Sequence, residues 1–343
     1  MLKKKPRYTV AVIGATGAVG RESLEILEER KFPLESLRLF ASKRSAGGTM
    51  ACQGREWTVE ELTPQTSFAG VDFALISATD EISKDYGQKL GAEGVVVIDD
   101  SAVFRMDADV PLLVPEVNAH AAHHMPRGIV AIPNCTTTPL VMALKPLHDA
   151  AGVKRVVVTT FQSVSGTGTA AMDELVEQTK ALMSFRDVET KVYPHQIAFN
   201  LLPHIGSFGR DGECSEEVKI VRETQKILEA PAMRITATTV RVPVLRCHSE
   251  AINVELERPL KPNDARAALA AMPGVLVYDD PSKKLYPMPL DASGRDEVYV
   301  GRIREDLSVT NGLNLWVVSD NLRKGAALNA VQIVELLINP HDP

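Results

Sequence analysis

In the N-terminal third of the chain, short apolar runs alternate with amphipathic stretches. Residues 8–13, 37–41, 73–77, 95–99 and 129–132 read as buried strands, and 21–30 and 81–90 as helices. Buried strands alternating with helices predict a parallel, doubly wound sheet. Beyond residue 135 the pattern changes. Helices are expected at 140–151, 169–185 and 263–272, and strands at 155–161, 234–244, 249–257 and 275–278. Long strands with few crossovers predict an α+β unit with a largely antiparallel sheet, a kind of surface that also packs against a twin. The last helix, 325–338, is apolar at Ala326, Leu328, Ala330, Val331, Ile333, Val334, Leu336 and Leu337. It is expected to return to the first domain, giving a discontinuous domain of 1–133 with 323–343 and a second domain of 134–322.

Between the first strand and first helix lies Gly14-Ala15-Thr16-Gly17-Ala18-Val19-Gly20. Glycines there permit a tight turn and let a helix N-terminus approach a pyrophosphate. Gly14, Thr16, Gly17, Ala18 and Val19 are therefore candidate cofactor contacts, the alternative being a turn that only packs strand on helix. Where an NAD-selective fold places an acid after its second strand, this chain has Ser42-Lys43-Arg44-Ser45. Ser42, Arg44 and Ser45 suit a ribose 2′-phosphate, hence NADP, unless the segment is merely a solvated loop. The combination describes a Rossmann-like dinucleotide-binding domain followed by an α+β catalytic and dimerisation domain.

Cys135, in Pro133-Asn134-Cys135-Thr136-Thr137-Thr138-Pro139, precedes a helix for which a threonine is the expected N-cap and Pro139 the first helical residue. Backbone N–H groups and the positive dipole end favour a thiolate at such a place, although a free cysteine is more commonly a small buried hydrophobe. A thiol nucleophile needs a proton carrier. His248, in Arg241-Val242-Pro243-Val244-Leu245-Arg246-Cys247-His248-Ser249, is the candidate, although taken alone it reads equally well as structural.

Composition narrows the picture. The chain of 343 residues is 45% hydrophobic and 24% charged with a net charge of −6, which argues against nucleic-acid binding. Its basic run Lys3-Lys4-Lys5-Pro6-Arg7 reads as a solvated arm. Four cysteines, no signal-peptide pattern and no apolar run near 18 residues predict a cytoplasmic protein without disulfides and without membrane partners. His120, His123 and His124 have metal-compatible spacing but no supporting ligand cluster, so no metal is expected.

Together, Gly14 to Gly20, Pro133 to Thr137, Gln162-Ser163-Val164-Ser165-Gly166, Arg241 to Ser249 and Asp320-Asn321-Leu322-Arg323-Lys324-Gly325 resemble the aspartate-β-semialdehyde dehydrogenase family over nearly the whole chain. The resemblance implies reduction of L-aspartyl 4-phosphate by NADPH to L-aspartate 4-semialdehyde and phosphate, in the route to lysine, threonine and methionine, by a homodimer or higher homo-oligomer. It implies Cys135 as the nucleophile that forms a thioester, His248 as general acid/base and Gln162 as the amide orienting the acyl group. Arg241 would clamp the substrate α-carboxylate, Glu216 would meet its ammonium, and Lys219, Arg105 and Asn134 would hold phosphate. Ser77, Ser165, Gly166 and Asn321 join the cofactor contacts, Asn321 near the nicotinamide carboxamide. Without the resemblance, an exposed helix pair is the alternative reading of Glu216, Glu217 and Lys219. Ser77-Ala78-Thr79-Asp80 departs from the family's usual Ser-Ala-Gly-Gly, leaving the cofactor contacts there open. Three other readings are N-acetylglutamyl-phosphate reductase, a silent binding relative and a glyceraldehyde-phosphate-type dehydrogenase.

Overall fold

The computed structural model describes residues 4–339. Lys3 of the basic run and the last four residues lie outside them. Inter-residue contacts divide the chain into two units, one running up to Asn134 and resuming at Ala326, the other Cys135–Gly325.

The first unit begins with β1 (Tyr8–Ile13), α1 (Ala18–Glu29), β2 (Leu34–Ala41), β3 (Thr49–Cys52) and β4 (Arg55–Glu61). It continues through β5 (Phe73–Ile76), α2 (Asp80–Ala92), β6 (Val96–Asp99), the short α3 (Pro115–Asn118) and β7 (Ile129–Ala131). The sheet order is β3-β4-β2-β1-β5-β6-β7, parallel except for the β3–β4 hairpin. That hairpin is absent from the apolar pattern because its residues are mostly exposed or half-buried, with only Cys52 and Val59 buried. Lys4, Lys5, Pro6 and Arg7 of the basic run are exposed ahead of β1, and Lys5 pairs with Asp72 at 2.5 Å.

The second unit contains α4 (Thr137–Ala151), β8 (Val153–Gln162), α5 (Thr169–Met183), α6 (Ser215–Ile227), β9 (Arg234–Arg241) and β10 (His248–Leu256). α7 (Pro262–Ala270), β11 (Val275–Val277), α8 (Pro289–Ala292), β12 (Val298–Asp306) and β13 (Gly312–Ser319) complete it. Its order is β11-β12-β13-β10-β8-β9, antiparallel in the middle and parallel at the β8–β9 and β11–β12 pairs. One face packs against α4, with α6 covering β9. The other face alternates half-exposed residues along β8 and β10, among them Val157, Thr159, Phe161 and Ala251.

A π-helical turn at Arg323–Ala327 precedes α9 (Leu328–Ile338), so the regular helix starts three residues later than the apolar pattern suggests. α9 packs on α1, α3 and β6, burying Leu328, Val331, Ile333 and Val334 with Leu24, Leu27 and Ile98. Each such aliphatic side chain contributes roughly 1.5–3 kcal/mol.

Candidate active site

The glycine turn of the first unit has the expected form. Gly14 has φ +89°, and a Cβ there would lie 2.0 Å from the Ser77 carbonyl oxygen. A Cβ on Gly20 would meet the Gly14 carbonyl oxygen at 2.3 Å, so α1 packs against the turn only as glycine. α1 begins at Ala18 with Gly17 as N-cap and no side-chain cap, which leaves its first-turn N–H groups for an anion. Thr16, Ala18 and Val19 are half-buried around it. Ser42 and Arg44 are exposed and Ser45 half-buried in the turn that follows β2, where Ser45 and Ala46 N–H donate to the Ser42 carbonyl. Ser77 donates its hydroxyl to Asp100 at 3.0 Å. The Thr79-Asp80 departure builds a helix start: Thr79 is the N-cap of α2, accepting from the Ile82 N–H, with Asp80 and Glu81 in the first turn. Arg105 is buried and donates to the Asp100 carbonyl at 2.8 Å. Asn134, also buried, is the last residue of this stretch before the second unit begins.

In the second unit, strand register does most of the assembly. Ser319, His248, Gln162 and Arg241 pair successively across β13, β10, β8 and β9, so they form one row on one face of the sheet. The Ser163 backbone N–H donates to His248 Nδ1 at 3.0 Å. Because a backbone N–H can only donate, Nδ1 must accept and the neutral ring carries its proton on Nε2. Nε2 is buried without a hydrogen-bond partner among the described residues. Burial, and then the neighbouring Arg241 charge, push the His248 pKa down to about 3. A Cβ on Gly166 would lie 3.2 Å from Nε2 and 3.1 Å from Arg241 Nη1, so glycine keeps space open beside both.

Arg241 is buried, donates Nη1 to the Ser163 carbonyl at 2.6 Å, and forms no ion pair with any described residue. A desolvated guanidinium with donors to spare is a receptor for an anion. The Gln162 amide is held at both ends, its oxygen accepting from Thr160 and its nitrogen donating to Glu216, each at 3.0 Å. α6 separates its two adjacent acids. Glu216 is buried against Gln162 with Lys219 Nζ at 3.4 Å, whereas Glu217 accepts from the Cys214 and Thr239 N–H groups and fastens the helix to β9. The exposed-face alternative fails for Glu216.

Cys135 is half-buried, one residue before the α4 N-cap. The capping expectation needs correction. The cap is Thr136, in helical conformation and without a side-chain cap bond, and the helix starts at Thr137, which makes Pro139 its third residue. Gly325 lies against the nucleophile candidate, where a Cβ would come within 3.0 Å of the Cys135 Cβ. Ser165 and Asn321 join the same cluster through a 3.0 Å bond. Ser163, Thr160 and Gly325 also belong to this cluster, without a local signal that marks any of them as functional. Ser163 stood within the motif, but its role needed the β8–β10 register. His120, His123 and His124 are exposed near a 3-10 turn, and no group of three or more potential metal ligands occurs among the described residues.

A dinucleotide-type parallel sheet joined to a mixed-sheet unit with a polar row across its middle defines a two-domain dehydrogenase. Two family models match, the semialdehyde dehydrogenase NAD binding domain over residues 9–125 and the semialdehyde dehydrogenase dimerisation domain over 144–324. The aspartate-semialdehyde dehydrogenase of Aquifex aeolicus is 51% identical over 96% of this chain and 98% of its own, and that of Bacillus subtilis 46% over 96% of each. The structure of aspartate semialdehyde dehydrogenase II from Vibrio cholerae complexed with ASA superposes with TM-score 0.95 at 44% identity, covering 98% of this chain and all of that one. The enzyme with NADP from Candida albicans gives TM-score 0.75 at 27% identity over 96% and 98%. The chain belongs to the aspartate-semialdehyde dehydrogenase family.

Glu250 lies on the same face as His248, one step deeper, opposite Thr160 and Val317. Its carboxyl is buried without a hydrogen-bond partner among the described residues, and burial holds its pKa well above the usual carboxylate range. The folded state therefore keeps a proton that the unfolded chain releases above about pH 4.5. Stability from this group is complete below that pH and declines as pH rises. Glu250→Gln, which cannot ionise, is expected to melt above the parent at pH 8 and to lose that advantage towards pH 4.5. A pH-independent difference in Tm counts against a buried neutral acid.

Proposed function

We propose that the protein converts L-aspartyl 4-phosphate to L-aspartate 4-semialdehyde and phosphate through a thioester on Cys135, with NADPH as the reductant. The observation that carries this reading is the unpaired buried Arg241 in one row with Gln162 and His248, with Glu216 bonded to Gln162. Cation and acid around one cluster match a free α-amino acid: Arg241 takes the carboxylate by its two-pronged fork and Glu216 the ammonium.

In the reductive direction the Cys135 sulfur bonds to the acyl carbon as the carbon–oxygen bond to phosphate breaks. Lys219 offsets the leaving charge, and Arg105 and Asn134 are likewise assigned to phosphate. The freed phosphate takes up the proton that the reaction consumes. Gln162 orients the thioester. A bound nicotinamide dinucleotide supplies the hydride, and the Gly14–Gly20 turn fits its pyrophosphate because its glycines keep the backbone bare and α1 lacks a side-chain cap. Ser77, Ser165, Gly166 and Asn321 are assigned to the remaining cofactor contacts. His248 offers its Nε2 proton to the oxygen that becomes negative, an interaction worth about 3–4 kcal/mol in comparable sites. Breaking the carbon–sulfur bond then releases the aldehyde and restores the thiolate.

The half-exposed face of the second sheet, carrying Phe161 and Trp316 with ring centroids 5.5 Å apart, is assigned to a second copy of this chain. The match to a dimerisation domain supports that reading. Sedimentation is expected to show a dimer or multiple of it, and a 37.3 kDa particle at micromolar concentration overturns the assignment.

With semialdehyde, phosphate and NADP, Cys135→Ala is expected to retain less than about 1% of turnover, because the covalent route is lost. The kcat/KM for aspartate semialdehyde should exceed that for N-acetylglutamate semialdehyde by at least about a hundredfold, close to 2.7 kcal/mol, since an acetylated nitrogen leaves Glu216 desolvated without a cation. Comparable values for the two substrates refute the assignment.

NADP is expected to be used at least about tenfold better than NAD, and Arg44→Ala to narrow that gap by weakening NADP selectively. Equal kcat/KM for the two dinucleotides in the unaltered protein removes Ser42, Arg44 and Ser45 from the site.

A further inference from the structure

We infer that Asn321 is a positioning residue for His248, acting by holding Cys247 in a left-handed backbone conformation. Cys247, the residue before the ring, has φ +75°. That region is sterically unfavourable for a residue with a Cβ, so the conformation persists only where the surroundings impose it. Two clamps do so. Arg246 Nε donates to the buried carboxylate of Asp320 at 2.6 Å, and the Cys247 N–H donates to the Asn321 side-chain oxygen at 3.0 Å. That oxygen also accepts the Ser163 hydroxyl at 3.2 Å and the Ser165 hydroxyl at 3.0 Å.

Since the Cys247 N–H can only donate, the oxygen end of the amide must face it, and the nitrogen end is the one left for a ligand. Ser163 is shared by both ends of the arrangement, its N–H on His248 Nδ1 and its hydroxyl on Asn321. Asn321 therefore touches the backbone leading into His248 and the loop that fixes the ring's tautomer. The Cys247 thiol has no part in this. It is buried with Ala292, Tyr299 and Val318, and burial raises its pKa far above the usual thiol range.

The inference rests on His248 serving the proposed reaction, so the test reads the ring separately from turnover. Full-length Asn321→Ala, Asn321→Asp, Cys247→Gly and the double variant Asn321→Ala with Cys247→Gly are compared by steady-state kinetics and by 15N spectra of histidine-labelled protein. Asn321→Ala is expected to lose the Nδ1-acceptor, Nε2–H signature of His248 and to lower kcat at least about tenfold. Glycine takes the left-handed conformation without help, so adding Cys247→Gly should restore the signature and recover kcat at least about fivefold. Any rise in KM for NADP caused by losing the amide donor should remain. Asn321→Asp keeps acceptor oxygens for all three donors and should keep the signature. A double variant no better than Asn321→Ala in both readouts overturns the inference, as does an unchanged signature in Asn321→Ala. A signature lost and regained with constant kcat upholds the positioning role and refutes the catalytic assignment of His248.

Discussion

The arrangement of the second unit depends on one hydrogen bond whose direction chemistry dictates. The Ser163 N–H points at His248 Nδ1 and can do nothing but donate, so the imidazole is fixed in one tautomer before any ligand arrives. Burial and the Arg241 charge add to this by making a second proton on the ring costly. Such a ring is a neutral donor with its polarity already oriented, which avoids reorganisation when negative charge appears nearby. The same Ser163 receives Arg241 on its carbonyl oxygen, so a single residue of the β8 exit sets both the cation and the imidazole.

Around that centre the protein separates groups that hold the fold from groups left free to act. Adjacent acids on α6 show the division: Glu217 satisfies two backbone N–H groups, whereas Glu216 faces the Gln162 amide. A helix turns about 100° per residue, and that rotation is enough to send neighbours to different tasks. Asp320 is likewise spent on scaffolding, accepting from Arg246, Gly294 and Leu322, while Asn321 beside it faces the serines.

Much of this was legible in the sequence because the signals are local. Parallel strands buried on both faces give continuous apolar runs, so β1, β5 and β6 were readable, and the glycine turn follows from its strand and helix context. β3 and β4 were not anticipated because exposed or half-buried positions interrupt their apolar runs. β12 and β13 were not anticipated either, although residues 298–300 and 315–318 form continuous apolar runs in them. The start of α4 was misplaced because a proline at the third helical position satisfies the same steric rule as one at the first, both lying where no intrahelical N–H bond is made. Motifs pointed to Gln162, Arg241 and His248, but their alignment depends on register, which no local pattern contains.

That alignment has a consequence for how the molecule assembles itself. Ser163 and His248 are 85 residues apart and Ser163 and Asn321 158 apart, so none of these contacts can form from a local hairpin. Loop closure over such spans is slow relative to helix formation. A refolding chain acquires most of its helical content before its site exists, and its chemistry returns only when β13, β10, β8 and β9 have found one another. The polar row is therefore a built-in readout of completed long-range pairing: compactness can be regained early, competence only at the end.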